Sequence, residues 1–179
     1  TVTGMAPGTA TITATMNVTY TATCAITVED PSYCSPSFST PSDDYISNFT
    51  TTGGDFNINN SSTYESGGYS DYYDSYSATI EQGSTLTCSV TPSSTSWTYG
   101  HAIWVDWNND FAFADTEKVA YSSSVAAGVW TESFEVPSTI AAGDYHMRVI
   151  HAYNENPTNP CMSANYGEAE DYKLTVLAA

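Results

Sequence analysis

The chain has 179 residues, enough for one well-buried domain and a small appendage but too few for two full-sized domains. Twenty acidic against three basic residues give a net charge of −17 and a sequence pI near 4.1, so a phosphate backbone or an anionic bilayer is repelled and nucleic-acid binding is excluded. No apolar run approaches a bilayer span, which argues against membrane insertion, and a chain that opens on Thr1 without a start Met or signal peptide reads as processed or excerpted.

Leu, Ile, Val and Phe together make up less than a fifth of the chain, a composition that with high charge signals disorder. Fourteen Tyr and four Trp supply the missing burial area, and the apolar residues alternate as a half-buried sheet requires. The chain is therefore read as all-β, an antiparallel β-sandwich of jelly-roll or Ig-like type, with no sustained 3.6-residue period.

At the amino end, Ile12, Ala14, Met16, Val18, Tyr20, Ala22, Cys24, Ile26 and Val28 are apolar or semi-apolar, with Thr, Asn or Ala between them. Strands average about five to six residues, so this run either folds into a hairpin near Asn17 or projects as one long strand beyond its own sheet. Either form leaves an edge that invites pairing with another chain. Glu29-Asp30-Pro31-Ser32 reads as a junction, which divides the chain into an extension over 1–30 and a main domain over 31–179.

Beyond the junction, short strands are expected near 43–49, 54–59, 76–81, 84–91, 101–107, 117–121, 129–136, 144–152 and 169–177. Gly53-Gly54, Gly67-Gly68, Gln82-Gly83, Thr91-Pro92, Ala142-Gly143 and Asn156-Pro157 punctuate them, and residues 61–75 form a long loop rich in Ser, Gly, Tyr and Asp. Tyr69, Tyr72 and Tyr73 in that loop are candidates for stacking on sugar rings, although a Leu-poor sandwich would also use Tyr to cover its ends.

Asp106, Asn108, Asp110, the Ala112 carbonyl and Glu117 fall at positions 1, 3, 5, 7 and 12 of a loop, the spacing of a calcium site. Position 6 is Phe111 rather than Gly, so the loop is expected to be wider or to lack the full ligand set. Glu168 and Glu170 share one strand face and Asp171 takes the other. Any of them could complete a metal shell or pair with Arg148, the only Arg, whose guanidinium on an apolar strand needs a partner.

His146 and His151 are expected on opposite faces of one strand, and His101 has no recognisable partner. No GxSxG elbow, HExxH helix or phosphate loop is present, so no enzymatic activity is expected. Four widely spaced cysteines without a CxxC pair suit disulfides better than zinc, with Cys34–Cys161 and Cys24–Cys88 the expected bonds. Sequons at Asn17, Asn48, Asn59 and Asn60 fit an extracellular chain and are candidate glycosylation sites.

Two resemblances add to this reading. VTGMAPGTATITAT with TATCAITV resembles the last strands of group 2 bacterial immunoglobulin-like domains of surface adhesins, of which only half is present within residues 1–28. YGEAEDYKLTV, residues 166–176, is similar to the signature of the GEVED domain, a β-rich module of secreted and surface proteins of bacteria. Tyr33-Cys34, YSDY at Tyr69 to Tyr72, IWVDWN at Ile103 to Asn108, FEVP at Phe134 to Pro137, Met147-Arg148-Val149 and Cys161 follow the family's order over about residues 31–178. Ala169 for Val and Phe111 for Gly are the departures. The resemblance implies an extracellular, non-catalytic bacterial module, often joined to adhesin-type repeats or secreted enzymes.

The expected function is a structural or adhesive subunit of a cell-surface filament. Residues 1–28 would donate a strand to the next copy, with calcium and disulfides as braces and other copies of the chain as partners. The competing reading is a carbohydrate-binding module of a secreted multidomain protein.

Overall fold

The computed structural model describes residues 8–16, 20–28 and 31–179, which divide into an amino-terminal unit ending at Tyr33 and a second unit over Cys34–Ala179. In the first unit, β1 (Gly8–Met16) and β2 (Tyr20–Val28) form an antiparallel ribbon, so the hairpin alternative holds. The register pairs Ala10 with Ile26, Ile12 with Cys24, Ala14 with Ala22 and Met16 with Tyr20. Because side chains alternate along a strand, this register gathers every even-numbered residue on one apolar face and leaves mainly threonine on the other. A two-stranded ribbon has no second layer of its own, and Ile12, Met16 and Tyr20 are exposed. Val18 and Asn17, named for strand donation and glycosylation, lie outside the described residues.

The second unit runs through β3 (Ser37–Phe38), β4 (Ile46–Thr52), β5 (Asn59–Ser61), β6 (Tyr69–Asp71), β7 (Ser77–Glu81), β8 (Thr85–Pro92) and β9 (Thr98–Asp106). It continues with a 3-10 turn at Asp115–Glu117, β10 (Lys118–Tyr121), β11 (Ala126–Ala127), β12 (Trp130–Glu135), β13 (Gly143–Tyr153), β14 (Ser163–Ala164) and β15 (Gly167–Leu177). One sheet orders β10-β9-β13-β15-β6, with β11 also on β9 and β7 also on β15; the other orders β12-β8-β4-β5. The two pack as a β-sandwich. Phe49, Leu86, Cys88, Val90 and Phe134 of the smaller sheet meet Ile103, Val105, Met147, Val149, Tyr172, Leu174 and Val176 of the larger.

Pairing is antiparallel except where β6 and β7 run parallel to β15 and β14 runs parallel to β3. The loop expected over 61–75 therefore contains a strand, β6, too short for its alternation to be read.

The β3–β14 pair lies beside the Cys34–Cys161 disulfide, which joins the start of this unit to the segment before β15. The expected Cys24–Cys88 bond is not formed, and both are free thiols. Cys88 sits on the inward face of β8, fully enclosed, where burial pushes its thiol pKa up and makes it behave as a small apolar side chain. Cys24 lies on the exposed ribbon.

Candidate functional site

The stretch Gly167-Glu168-Ala169-Glu170-Asp171 opens β15, the strand between β13 and the β6/β7 edge. Gly167 has φ 138°, and a Cβ there would fall 2.3 Å from the His151 carbonyl oxygen and 2.8 Å from the Phe38 ring, so only glycine fits. Glu168 and Glu170 do share a face, and it is the inward one. Glu168 Oε2 accepts the Ile46 N–H at 2.9 Å, while Glu170 accepts hydroxyls from Ser62 at 2.9 Å and Tyr172 at 2.6 Å. The Asn60 amide in turn donates to the Tyr172 hydroxyl at 2.9 Å. Burial, aided by the charge of Glu170, raises Glu168 to about 8, and burial raises Glu170 to about 7 against the hydrogen bonds from Tyr172 and Ser62. These carboxyls tie β15 to the opposite sheet and bond neither Arg148 nor the Asp106 loop.

Arg148 finds its partner on the other face. Its Nε and Nη2 each lie 2.7 Å from the two Asp171 oxygens, a bidentate fork between cross-strand neighbours, and both side chains are fully buried. Nη1 donates to the Pro160 carbonyl at 2.9 Å, which binds the disulfide segment to the pair. Asp171 also accepts the Tyr69 hydroxyl at 2.7 Å and His146 Nε2 at 3.0 Å. The Phe113 and Tyr69 rings lie 4.8 and 5.2 Å from the guanidinium. Burial pushes the Asp171 pKa up, but the hydrogen bonds from Arg148 and His146 outweigh it and hold the carboxyl below its ordinary value. So enclosed a charge pair organises the fold and offers nothing to a solvent-borne substrate.

His101, without a partner in the sequence reading, meets His151: the register sets them opposite each other on β9 and β13, with His151 Nδ1 2.9 Å from His101 Nε2. A single proton bridges them, and neither His101 Nδ1 nor His151 Nε2 has a hydrogen-bond partner among the described residues. Burial drives His101 down to about 3 and His151 well below its ordinary value, so both are neutral at pH 7. His146, on the opposite face, bonds Asp171, as the odd spacing from His151 required. Nothing in the sequence marked the pair, because 50 residues separate its members.

The loop after β9 is organised by its own acids. The Asp106 carboxylate accepts the N–H groups of Asp110 at 3.3 Å and Phe111 at 3.0 Å; Asn108 Oδ1 accepts the Asp110 N–H at 3.0 Å, and Asn108 Nδ2 lies 3.1 Å from Asp110 Oδ2. Phe111 takes φ 66°, the left-handed conformation that Gly ordinarily provides at position 6, so the loop turns as sharply with the bulkier residue. Ala112 donates its N–H to Asp110 Oδ1 at 2.9 Å. Glu117 behaves differently, both its oxygens holding amides of the same loop, Trp107 N–H at 3.0 Å and Ala114 N–H at 2.8 Å. Among the described residues, no three His, Cys, Asp or Glu side chains gather as a metal-holding group. A cation here would have to draw on Asp106, Asn108, Asp110 and the Ala112 carbonyl.

The tyrosines named as a sugar platform are half-buried and occupied. Tyr69 bonds Asp171, Tyr72 stacks on Tyr172 at 5.7 Å, and Tyr73 stacks on His146 at 4.6 Å with Lys173 Nζ over its ring. These contacts are those of side chains that cover the sandwich, one of the two roles the sequence allowed. Of the sequons, Asn60 is buried with its amide nitrogen bonded to Tyr172, so the folded chain cannot present it to a glycosyl donor. The Asn48 amide donates to Asn59, the Asn60 carbonyl and Ser61, whereas Asn59 is exposed.

Among the described residues, no helix is long and apolar enough to cross a membrane. No curated protein matches the chain. Residues 100–175, from β9 through most of β15 and including the Arg148–Asp171 pair and both inward glutamates, match the family model of the GEVED domain.

Proposed function

We propose that the chain is a non-catalytic, extracellular structural or adhesive module that assembles with copies of itself through the ribbon Gly8–Val28. The observation that carries this reading is the charge distribution. Residues 1–28 contain no Asp, Glu, Lys or Arg, so the whole net charge of −17 lies beyond them. Two such bodies repel each other, and a neutral ribbon with one apolar face is the segment able to approach a second copy without that repulsion.

The acceptor in this reading is β12, an edge strand of the smaller sheet. A cleft of about 530 Å³ runs between β12 and the opposite edge strand β10, lined by Val119, Tyr121, Trp130 and Thr131 among others. A donated strand would complete the ladder on β12 and cover the cleft. The Cys34–Cys161 bond supports an oxidising, extracytoplasmic compartment. Deleting residues 1–28 yields a monomer by light scattering, while the full chain assembles with concentration. Polymerisation of the deletion variant, or a full chain monomeric at its highest attainable concentration, overturns the reading.

Calcium at the 106–112 loop is the second part of the proposal. Asp106, Asn108, Asp110 and the Ala112 carbonyl supply the oxygens, water completes the shell, and Glu117 serves as the backbone clip its two amide contacts describe. An ion bound only by the folded state raises stability as RT ln(1 + [L]/Kd), about 2.7 kcal/mol at a hundredfold excess over Kd. The Tm therefore rises with calcium and falls back with EDTA, and Asp110→Ala abolishes the response. A Tm indifferent to calcium removes the site.

A further inference from the structure

Next to Tyr99, at the end of the sandwich where β9 begins, a cavity of about 460 Å³ is lined by Asp43, Asp44, Trp97, Tyr153 and Tyr166. Its size falls within the range of small-molecule sites, about 300–1,000 Å³. Trp97 and Tyr166 are 55% and 38% exposed although they are large aromatics beside an otherwise closed core. Their rings do not form a flat wall. Trp97 stands at 79° to Tyr153 with centroids 6.0 Å apart, and Tyr153 at 77° to Tyr166 with centroids 5.8 Å apart. Each ring is thus roughly perpendicular to the next, and together they present faces and edges on more than one side of the space.

The acidic side of the cavity is equally fixed. Asp44 is buried and its Oδ1 accepts the Tyr99 hydroxyl at 2.7 Å, while Asp43 beside it is exposed. Among the described residues lining the space there is no Lys or Arg to answer the two carboxylates. The backbone holds the parts in place: Tyr153 pairs with Tyr99 in the β13–β9 ladder, and the Tyr153 N–H donates to the Tyr166 carbonyl.

We propose that this cavity binds an organic cation of the quaternary-ammonium class, a trimethylammonium group held between the rings of Trp97, Tyr153 and Tyr166 with Asp43 and Asp44 as counter-charge. Aromatic faces carry negative potential and attract a cation most strongly when it is desolvated between several of them. A trimethylammonium group is weakly hydrated and matches an apolar cage, whereas a calcium ion needs six to eight oxygens that three rings and two carboxylates do not supply. A pyranose stacks on an open, flat ring, and these walls stand edge to face. The two carboxylates also disfavour a phosphate joined closely to the cation, so choline and a trimethyl-lysine side chain are accepted and phosphocholine is disfavoured.

The test titrates the full chain with choline, phosphocholine, an Nε-trimethyl-lysine peptide, and 3,3-dimethylbutan-1-ol, the uncharged carbon isostere of choline, by calorimetry and Trp fluorescence. Saturable binding of choline at least tenfold tighter than its neutral isostere is expected, with Tyr166→Ala and Asp43→Asn each weakening it severalfold at unchanged Tm. The ratio between choline and the peptide identifies the source of the group. Equal affinity for the isostere, preference for phosphocholine, binding unchanged in Tyr166→Ala, saturation by a neutral sugar alone, or no binding at all overturns the proposal. Trp97→Phe keeps a ring in place and retains part of the choline affinity if the cage is the site.

Discussion

Replacing Arg148 by alanine lowers the unfolding free energy of the sandwich by about 3–5 kcal/mol, the range for removing one member of a buried ion pair. The substitution leaves Asp171 enclosed and ionisable, with only the Tyr69 hydroxyl and His146 as side-chain donors. It also strips the Pro160 carbonyl of its guanidinium donor beside the Cys34–Cys161 bond, and it vacates the space between the Phe113 and Tyr69 rings. Arg148→Lys keeps the charge but loses the planar fork, so it recovers only part of the stability. The double replacement Arg148→Met, Asp171→Leu often rescues such pairs in other proteins. Here it leaves Tyr69, His146 and the Pro160 carbonyl unanswered, and it stays well below the wild type. Urea denaturation with an unchanged slope is the measurement, and a loss under 1 kcal/mol for Arg148→Ala would sink this account.

Stability of the second unit peaks in mildly acidic solution and declines on both sides. Glu168 and Glu170 keep their protons when folded up to about pH 8 and 7, whereas unfolded they release them near their ordinary 4.5. Between those limits the folded state binds more protons than the unfolded one, so stability falls as pH rises from about 4.5 to 8. The histidine pair acts the other way. His101 and His151 refuse protons that the unfolded chain takes up near 6.5, so stability falls as pH drops from that value toward 3. At about 1.4 kcal/mol per pKa unit, the glutamates alone change stability by several kcal/mol across their window. Glu168→Gln flattens the alkaline limb and leaves the acid limb in place. An alkaline limb of full size in Glu168→Gln would show that other groups cause it.

Much of the sandwich was legible because its strands bury one face. Thr85–Pro92 alternates in the sequence, and Leu86, Cys88, Val90 and Pro92 are buried while the residues between them are more exposed; the β15 alternation correctly separated Glu168 and Glu170 from Asp171. The amino-terminal alternation marked extended structure with one apolar face but left a hairpin and a single long strand equally open, because even residues share a face in either; the β1–β2 register selects the hairpin. β6 was missed because three residues cannot display a period, and its place is set by pairing with β15 about a hundred positions away.

The chemistry divides along the same line. Local spacing marked Asp106, Asn108 and Asp110, and the chain does form a self-bonded loop there. Spacing could not reveal that Glu117 is occupied by two backbone amides, or that Phe111 adopts the glycine-like turn. Nor could it tell that Tyr73 would stack on His146, or that Cys88 would be sealed in the core out of reach of another thiol.

What the amino-acid sequence determined by itself was periodicity and composition: an all-β chain, strongly acidic, with an uncharged amino-terminal segment and an Arg that needed a carboxylate. Which carboxylate it took, which two histidines share a proton, and which aromatics surround a cavity were decided only when the sheets closed. Those contacts join residues far apart in the chain, and their energies come from desolvation and cross-strand register, neither of which exists until the second sheet excludes water.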